Sequence, residues 1–218
     1  MSTERRAPLD RRRVAGTALR LLNEVGLDGL TLRAIAKELD VKAPALYWHF
    51  KDKQALLDEM ATEMYRRMAA DARLDPAGTW QHVLRTMSGG LRAALLGYRD
   101  GAKVYSGSRF TGIDHAPDQE AYLRVMTQAG FTLAQAAVIG ATVNAYTIGF
   151  VTEEQGVQPL PGERREGYDV EERARLLADF PLSAAAGREI FTDYGSQFET
   201  GLEIIIGGVE ARYRQAPP

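Results

Sequence analysis

Three side chains near residue 50 end in groups that can donate hydrogen bonds to phosphate oxygen atoms. They are the hydroxyl of Tyr47, the imidazole of His49 and the ammonium group of Lys53. Aromatic and basic donors in one short segment are typical of a surface that contacts a nucleic-acid backbone. An alternative is that Tyr47 and His49 only cap a hydrophobic core. The segment is therefore a candidate DNA-binding site.

The sequence holds little that could support catalysis or metal binding. It has no cysteine, which excludes disulfides, thiolate metal sites and a cysteine nucleophile. Its three histidines are scattered: His49 lies in the segment above, His82 lies near Trp80, and His115 lies in a loop-like stretch. Nucleophile-elbow, phosphate-loop, dinucleotide-binding and zinc-protease motifs are missing from the sequence. We therefore predict no enzymatic activity, no metal site and no cofactor.

Charge is distributed unevenly along the chain. Residues 1–53 carry eleven basic and seven acidic side chains, a net charge of +4, whereas the remainder carries 16 basic and 22 acidic ones, a net charge of −6. This asymmetry is expected of a DNA-binding head on a soluble body, although chance clustering could also produce it. The N-terminus lacks the pattern of a signal peptide, and no uninterrupted apolar run reaches the ~18 residues of a membrane span. We expect a cytoplasmic protein with no membrane partner.

Apolar spacing predicts three short helices before residue 53. The first has a stripe that Gly26 should end, formed by Val14, Ala18, Leu21, Leu22 and Val25. Thr31 is a good N-cap for the second, whose stripe is Leu32, Ile35, Ala36 and Leu39. Pro44 belongs in a first helical turn, so the third helix should begin near Lys42 or Ala43. This is the order of a helix-turn-helix, in which Lys42, Ala43 and Ala45 would point toward the base edges, although spacing alone also permits a generic three-helix bundle.

The rest of the chain predicts longer helices, over residues 51–70, 79–97, 118–129, 133–154 and 191–209. The fourth of these is rich in small residues, which permit close helix approach and leave room for a cavity. Residues 156–167 are rich in proline, glycine and charge and predict a loop, whose simplest role is that of a linker. The last helix is apolar on more than one side, so it needs a second partner besides its own core. A two-fold mate would supply that partner, which predicts a homodimer.

Several motifs resemble the TetR family. LYWHFKDK at 46–53, ALLD at 55–58, LLNEVG at 21–26 and TLRAIA at 31–36 resemble its DNA-binding domain. Further likeness to the tetracycline-binding members of the family includes RDGAKV at 99–104 and GLEIIIGG at 201–208, so the resemblance extends from about residue 9 to residue 209. It implies an all-α fold with a three-helix, helix-turn-helix head in residues 1–53. Residues 54–218 would then form a helical ligand-binding and dimerisation body.

The resemblance also implies contacts to phosphates or bases from Thr31, Arg33, Tyr47, His49 and Lys53. Tetracycline-binding relatives read bases partly through polar side chains at the positions of Ala43 and Ala45. Alanine can contact only a thymine methyl group. We therefore expect a different operator, with Lys42 and Arg33 as the main direct base contacts.

Substitutions in the body argue against the family's best-known ligand, a magnesium–tetracycline chelate. By the resemblance, the histidine that binds the metal falls at Tyr105, and two polar drug contacts fall at Ala69 and Met87. A neutral tyrosine is a poor magnesium ligand, and the supporting acid at Glu153 does not make a site alone. We expect a more apolar, metal-independent site lined by Met64, Met87, Leu91, Tyr105, Ser108, Arg109, Tyr122 and Asn144. The alternative is that Tyr105 and Met87 are ordinary core residues.

Taken together, these patterns predict a repressor that binds a palindromic operator as a homodimer. A small hydrophobic inducer, larger and flatter than a tetracycline chelate and of an aromatic or polyketide-like kind, would release it by tilting the helix predicted at 51–70. Two alternatives stay open, a ligand-dependent activator and a ligand-independent regulator that a protein partner controls. Operator position separates repression from activation, and the protein sequence does not contain it.

Overall fold

The computed structural model describes residues 9–71 and 77–213, and every regular element in these ranges is a helix. This confirms the all-α fold class. Predictions that involve other residues, such as the charges of Glu4, Arg5 and Arg6, lie outside the described residues.

The first three helices form the predicted helix-turn-helix head. They are α1 (Arg11–Gly29), α2 (Leu32–Glu38) and α3 (Ala43–Tyr47). Side-chain caps begin the first two, since Asp10 accepts a hydrogen bond from the Arg13 amide and Thr31 accepts one from the Ala34 amide. After α3, Phe50 is fully buried and closes the head core.

The regular part of α1 ends at Gly26, as predicted, because Gly26 adopts φ 67° and ψ 176°, outside the helical region. A short helical segment to Gly29 follows this kink, and one residue differs from the prediction. Val25 was expected to be buried but is exposed, because the core beneath α1 ends one turn earlier, at Leu22.

Eight further helices follow within the described ranges: α4 (Lys53–Asp71), α5 (Trp80–Leu96), α6 (Gly101–Tyr105), α7 (Ala116–Gln128), α8 (Leu133–Val157), α9 (Val170–Leu176), α10 (Pro181–Ile190) and α11 (Tyr194–Tyr213). The sequence analysis missed α6, α9 and α10. All three are short, and α9 and α10 expose most of their residues, so they lack the apolar stripe that reveals a helix in a sequence. Phe191 was placed in the last helix but caps the C-terminus of α10 instead.

Two hydrophobic cores lie within the described part of the chain. One joins the head to α4 and continues to Leu95 of α5, Val104 of α6 and Val151 of α8. The other lies among α5, α7, α8 and α11 around Trp80 and Met126. Helix α4 packs against α1 on one side and against α5 and α6 on the other, so it mounts the head on the body. The domain boundary after residue 53 stays a prediction, and it divides helices that share one core.

Helix α8 is the one helix among the described residues that is long and apolar enough to cross a membrane. In the fold it packs against α5, α6, α7 and α11. The sequence analysis considered only uninterrupted apolar runs, and Thr142, Asn144 and Thr147 interrupt the one in α8. The two findings therefore do not conflict, because the mean hydropathy of a helix can be high without such a run.

Hydrogen bonds join the end of α1 to the turn between α5 and α6. The Asn23 side chain donates to the Gly97 carbonyl (3.2 Å) and accepts from the Arg99 amide (2.8 Å). Asp100, which adopts φ 56°, accepts from the Leu27 amide (3.0 Å) and from Lys103 Nζ (2.8 Å). Burial opposes ionisation of Asp100, but these two hydrogen bonds outweigh it and lower the pKa of its carboxyl group. The head is therefore fixed to the body at a second place besides α4.

We expect Asp100→Asn to lower the free energy of unfolding by about 1–2 kcal/mol at pH 7, because it weakens charge-assisted hydrogen bonds. The folded pKa of Asp100 lies below the unfolded value of about 3.9. Its contribution is therefore fully present above about pH 4 and is lost as the pH falls through the folded pKa. Urea denaturation of both proteins at pH 7 and pH 3 measures this, with the exposed Asp28→Asn as control. A difference that does not shrink at pH 3 would contradict the assignment.

Candidate DNA-reading surface and ligand cavity

Helix α3 presents a narrow exposed face. Lys42 at its N-cap, Pro44 and Tyr47 are exposed, whereas Ala43 and Ala45 are half-buried. Ala43 packs against the head core, so little of the side chain is left for contact with a base. Tyr47 is 56% exposed, which argues against the alternative that it caps the core.

Trp48, which the sequence analysis passed over, is 90% exposed directly after α3. An indole so far out of the core has no packing role, and its N–H can donate a hydrogen bond. Its position between Tyr47 and His49 could have shown that it belongs to the same face as the predicted phosphate donors.

The other predicted DNA contacts are spread around this face. Arg33 is exposed and has no ion pair with any described residue. Thr31 is exposed, with its hydroxyl oxygen used as the cap of α2, and its hydroxyl hydrogen can still be donated. His49 is half-buried, and Lys53 Nζ donates to the Leu27 carbonyl (3.1 Å), so both have less freedom than the sequence implied.

Much of the basic charge counted in the head is neutralised within the protein. Arg11 pairs with Glu59 (2.9 Å), Arg12 with Glu63 (3.0 Å) and Arg20 with Glu38 (2.8 Å). The acids that neutralise Arg11 and Arg12 lie on α4, beyond the segment over which the charge was counted. Fewer basic side chains are therefore free to attract DNA than the charge count over residues 1–53 suggested.

Arg11 links the recognition helix to α4. Its Nη1 donates to the His49 carbonyl (2.6 Å) and its guanidinium lies 4.7 Å from the Phe50 ring centroid, while its Nε donates to Glu59 Oε2. Cationic donors stabilise the carbonyl groups at the end of a helix. One side chain thus holds the end of α3 against the long helix behind it.

Glu59 on α4 is buried and accepts hydrogen bonds from three directions. Besides Arg11, Arg66 Nη1 donates to its Oε1 (3.1 Å) and the hydroxyl of Thr111 donates to its Oε2 (2.9 Å). Burial opposes ionisation, but the bonds from Arg11, Thr111 and Arg66 outweigh it and lower the pKa of Glu59. Thr111 belongs to the loop between α6 and α7, so the carboxylate joins that loop to the head.

A cavity of about 130 Å³ lies in the body between α4, α5, α6, α7 and α8. Its wall is formed by Tyr65, Met68, Ala69, Leu84, Thr86, Met87, Ser88, Gly90, Leu91, Tyr105, Asp118, Tyr122, Gly140, Val143, Asn144 and Thr147. The small residue Gly140 has a clear purpose, since a Cβ atom there would lie only 3.0 Å from the Tyr122 ring. The small residues of α8 were predicted to leave space for a cavity, and at Gly140 the ring of Tyr122 fills that space.

Five of the eight residues predicted to contact a ligand lie in this wall: Met87, Leu91, Tyr105, Tyr122 and Asn144. The other three do not. Met64 points into the core shared with the head, Ser108 donates to the Val104 carbonyl (2.6 Å), and Arg109 is exposed. The turn that follows α6 carries Ser108 and Arg109 away from the cavity, and sequence position alone could not show this.

Most polar groups of the wall are bonded to one another. The hydroxyl of Tyr65 donates to Asp118 Oδ2, and Ser88 and Thr147 share a hydrogen bond (2.6 Å). Tyr122 donates to the Ala136 carbonyl (2.7 Å), and burial raises its pKa to about 12. Burial also raises the pKa of Tyr105, so all of these phenols stay neutral near pH 7.

The wall residues that the sequence analysis missed share a signal with those that it found. Leu84 and Ser88 follow the helical spacing that places the predicted residues Met87 and Leu91 on the cavity side of α5. Tyr65 and Asp118 carried no such signal, because only the packing of α4 against α7 brings them together.

Helices α8 and α11 leave apolar side chains without a partner in the monomer. Val138 is 59% exposed and Ile204 is 71% exposed, and Ala137, Ala141 and Ala145 line the outer side of α8. A groove lies between the two helices and contains Thr142 and Ile205 in its wall. The second apolar side predicted for the last helix is thus confirmed.

Two family models together match nearly all of the chain. Residues 16–60 match the family described as "Bacterial regulatory proteins, tetR family". Residues 73–213 match "Tetracyclin repressor-like, C-terminal domain".

Individual proteins agree with these matches. The chain is 40% identical to the class D tetracycline repressor protein of Escherichia coli, over 94% of this chain and 91% of the relative. A possible TetR family regulator from Streptomyces coelicolor A3(2) has a TM-score of 0.79 at 35% identity, with 93% of this chain and 99% of that chain covered.

Two solved structures contain bound molecules. TetR-Q116A of Acinetobacter baumannii AYE, in complex with minocycline, has a TM-score of 0.73 at 31% identity, with 96% of this chain and 100% of that chain covered. BioQ bound to its double-stranded DNA operator has a TM-score of 0.66 at 28% identity, with 94% and 100% covered. The chain, with its helix-turn-helix head and its repressor-like body, belongs to the TetR family of bacterial transcriptional regulators.

Proposed function

We propose that this regulator is a repressor that binds a palindromic operator as a homodimer. A small, mainly apolar molecule that is not a magnesium–tetracycline chelate would release it from DNA. The observation that carries the proposal is helix α4, which forms part of the cavity wall and shares a core with the head. The same proposal places the protein in the cytoplasm, where its operator lies.

DNA recognition would use the exposed face around α3. Lys42 lies at the start of α3, where the side chains of a recognition helix approach base edges, and Arg33 lies on the preceding helix α2. Tyr47, Trp48 and His49 would donate hydrogen bonds to phosphates on either side. BioQ, which shares the fold, is bound to operator DNA in its solved structure, and this supports the assignment.

We expect Lys42→Ala to weaken binding to the operator about tenfold or more, because it removes a direct base or phosphate contact. Arg20→Ala is the matched control, since it removes the same charge from the head but Arg20 is paired with Glu38. An operator selected from a random palindromic library provides the DNA, and fluorescence anisotropy at two salt concentrations provides the affinity. Equal losses in the two variants would show that only net charge matters and would contradict the assignment of Lys42.

Dimerisation would bury the apolar outer sides of α8 and α11 against those of a second copy. Small residues such as Ala141 and Ala145 would let the helices approach closely, and Ile204 would be removed from water. Two heads about 34–36 Å apart would then reach successive major grooves on one side of the DNA.

A buried charge at this surface should separate the two copies. We expect Val138→Asp to give a monomer in size-exclusion chromatography with light scattering, because a carboxylate would be buried without a partner. Ile113→Asp is the control, since Ile113 is equally apolar and exposed but lies in the loop between α6 and α7. A dimer that survives Val138→Asp unchanged would place the interface elsewhere.

The donor set of the cavity supports a ligand without magnesium. Magnesium requires oxygen ligands in a near-octahedral arrangement, and these are mostly carboxylates, phosphates and water. Within residues 9–71 and 77–213, no three His, Cys, Asp or Glu side chains converge on one point. Asp118 is the sole carboxylate in the wall, and Glu153 is exposed on α8. These residues do not fit the ion that the tetracycline-binding relatives imply.

The structural change that releases the protein from DNA would be transmitted from the cavity to the head through α4 and the loop between α6 and α7. Phe110 of that loop contacts Tyr65 and Tyr105, with ring centroids 5.1 Å and 5.8 Å apart, and both tyrosines line the cavity. Thr111, the next residue, is bonded to Glu59, which is bonded to Arg11. A ligand that displaces the tyrosines would therefore disturb the contact that holds the end of the recognition helix.

This path predicts that Arg11→Met weakens operator binding severalfold more than Arg12→Met. Both variants remove one charge from the same turn of α1 and each breaks one ion pair with α4. Arg11 alone of the two also holds the His49 carbonyl. Anisotropy titrations with the selected operator, together with thermal melting to confirm folding, measure the difference. Indistinguishable affinities would refute the role of Arg11 as a link.

A further inference from the structure

The wall of the cavity has one charged side chain, the carboxylate of Asp118, and no basic residue among its described members. The neighbouring arginines point elsewhere, since Arg66 is bonded to Asp114 (3.0 Å) and Glu59. His115 packs against the rings of Phe110 and Tyr65 and is not part of the wall. The formal charge that the described wall residues contribute is therefore negative.

Asp118 is not used as a helix cap, although it lies in the first turn of α7. A carboxylate at that place commonly accepts a hydrogen bond from a backbone amide. Here its Oδ2 instead accepts from the hydroxyl of Tyr65, across the cavity on α4. Its Oδ1 has no hydrogen bond with any part of the chain that the structure describes. One acceptor atom with a formal charge is thus left for a ligand.

Three aromatic rings line the same cavity as this carboxylate. Tyr65, Tyr105 and Tyr122 line the cavity and are buried or largely so. The face of an aromatic ring attracts a cation within about 6 Å of its centroid. Because burial keeps these phenols neutral, they offer faces and hydroxyl dipoles but no second negative charge.

We propose that the ligand is a small aromatic cation whose positive charge lies beside Asp118 and the rings of Tyr65 and Tyr105. The inference rests on the proposed function and names the ligand class of the same cavity. An anion would be repelled there, and a neutral ligand would leave the Asp118 carboxylate partly desolvated without a counter-charge. An ammonium or iminium group satisfies both requirements.

The size of the cavity guides the choice of probe. A cavity of roughly 150 Å³ can hold one benzene ring, so about 130 Å³ suits a single-ring compound. N-Methylpyridinium and toluene are such compounds and have the same shape. They differ by one positive charge, because a ring nitrogen in the first replaces a ring carbon atom in the second.

The experiment measures binding of both compounds to the full chain by isothermal titration calorimetry. We expect N-methylpyridinium to bind at least tenfold more tightly than toluene. Asp118→Asn should remove most of this preference by weakening the cation alone, since asparagine can still accept the bond from Tyr65. Glu120→Gln removes the same charge from an exposed position on α7 and should keep the preference. Tyr65→Phe should also keep it, because the ring and the carboxylate both stay.

The outcomes separate this inference from the proposed function. Equal binding of the two compounds, or tighter binding of toluene, would overturn the ligand class and leave the apolar cavity as a ligand site. Failure of the cation to bind a protein that still binds its operator would also overturn it. If the cation binds as expected but operator affinity in anisotropy titrations stays unchanged, the ligand class stands and the proposed release mechanism fails.

Discussion

The fold depends on the hydrogen bonds that neighbouring groups donate to one buried carboxylate, that of Glu59 on α4. Glu59 lies where water cannot solvate its charge, and a buried charge without partners costs several kcal/mol. Its partners come from the head through Arg11, from α4 itself through Arg66, and from the loop between α6 and α7 through Thr111. None of these can move far without leaving the charge uncompensated. The position of the head on the body is therefore set by electrostatics as well as by apolar packing.

Helix α4 contacts both the head and the ligand cavity within a few turns. Its first half packs under α1 through Leu56 and Met60, and its second half contributes Tyr65, Met68 and Ala69 to the cavity wall. In the proposed mechanism, a ligand that changes the volume of the cavity would therefore shift the head, because one helix contacts both. Tightly packed interiors transmit such changes, since they are close to incompressible. The ring contacts of Phe110 and the hydrogen bonds of Thr111 would provide a second route.

The identity between this chain and the tetracycline repressors extends over most of both chains, so the family scaffold is common to them. The wall of the cavity here consists of tyrosines, methionines and small residues around one carboxylate. Function depends on such sites more than on the fold that carries them. Fold similarity therefore establishes a regulator of this family, and the chemistry of the wall bears on what it senses.

The sequence by itself determined the long amphipathic helices, the helix-turn-helix order and the family, because periodic apolar stripes and caps such as Thr31 are local signals. It also placed Met87, Leu91 and Tyr105 correctly in the cavity wall. The short helices α9 and α10 were not predicted, because they pack mainly on each other and have no long stripe of apolar residues. Only the tertiary structure decided that Arg11 faces Glu59 instead of solvent, and that Tyr65 meets Asp118 across the cavity. Those pairs join residues 48 and 53 positions apart, and the spacing of side chains along a helix contains no information about which distant helix it will meet.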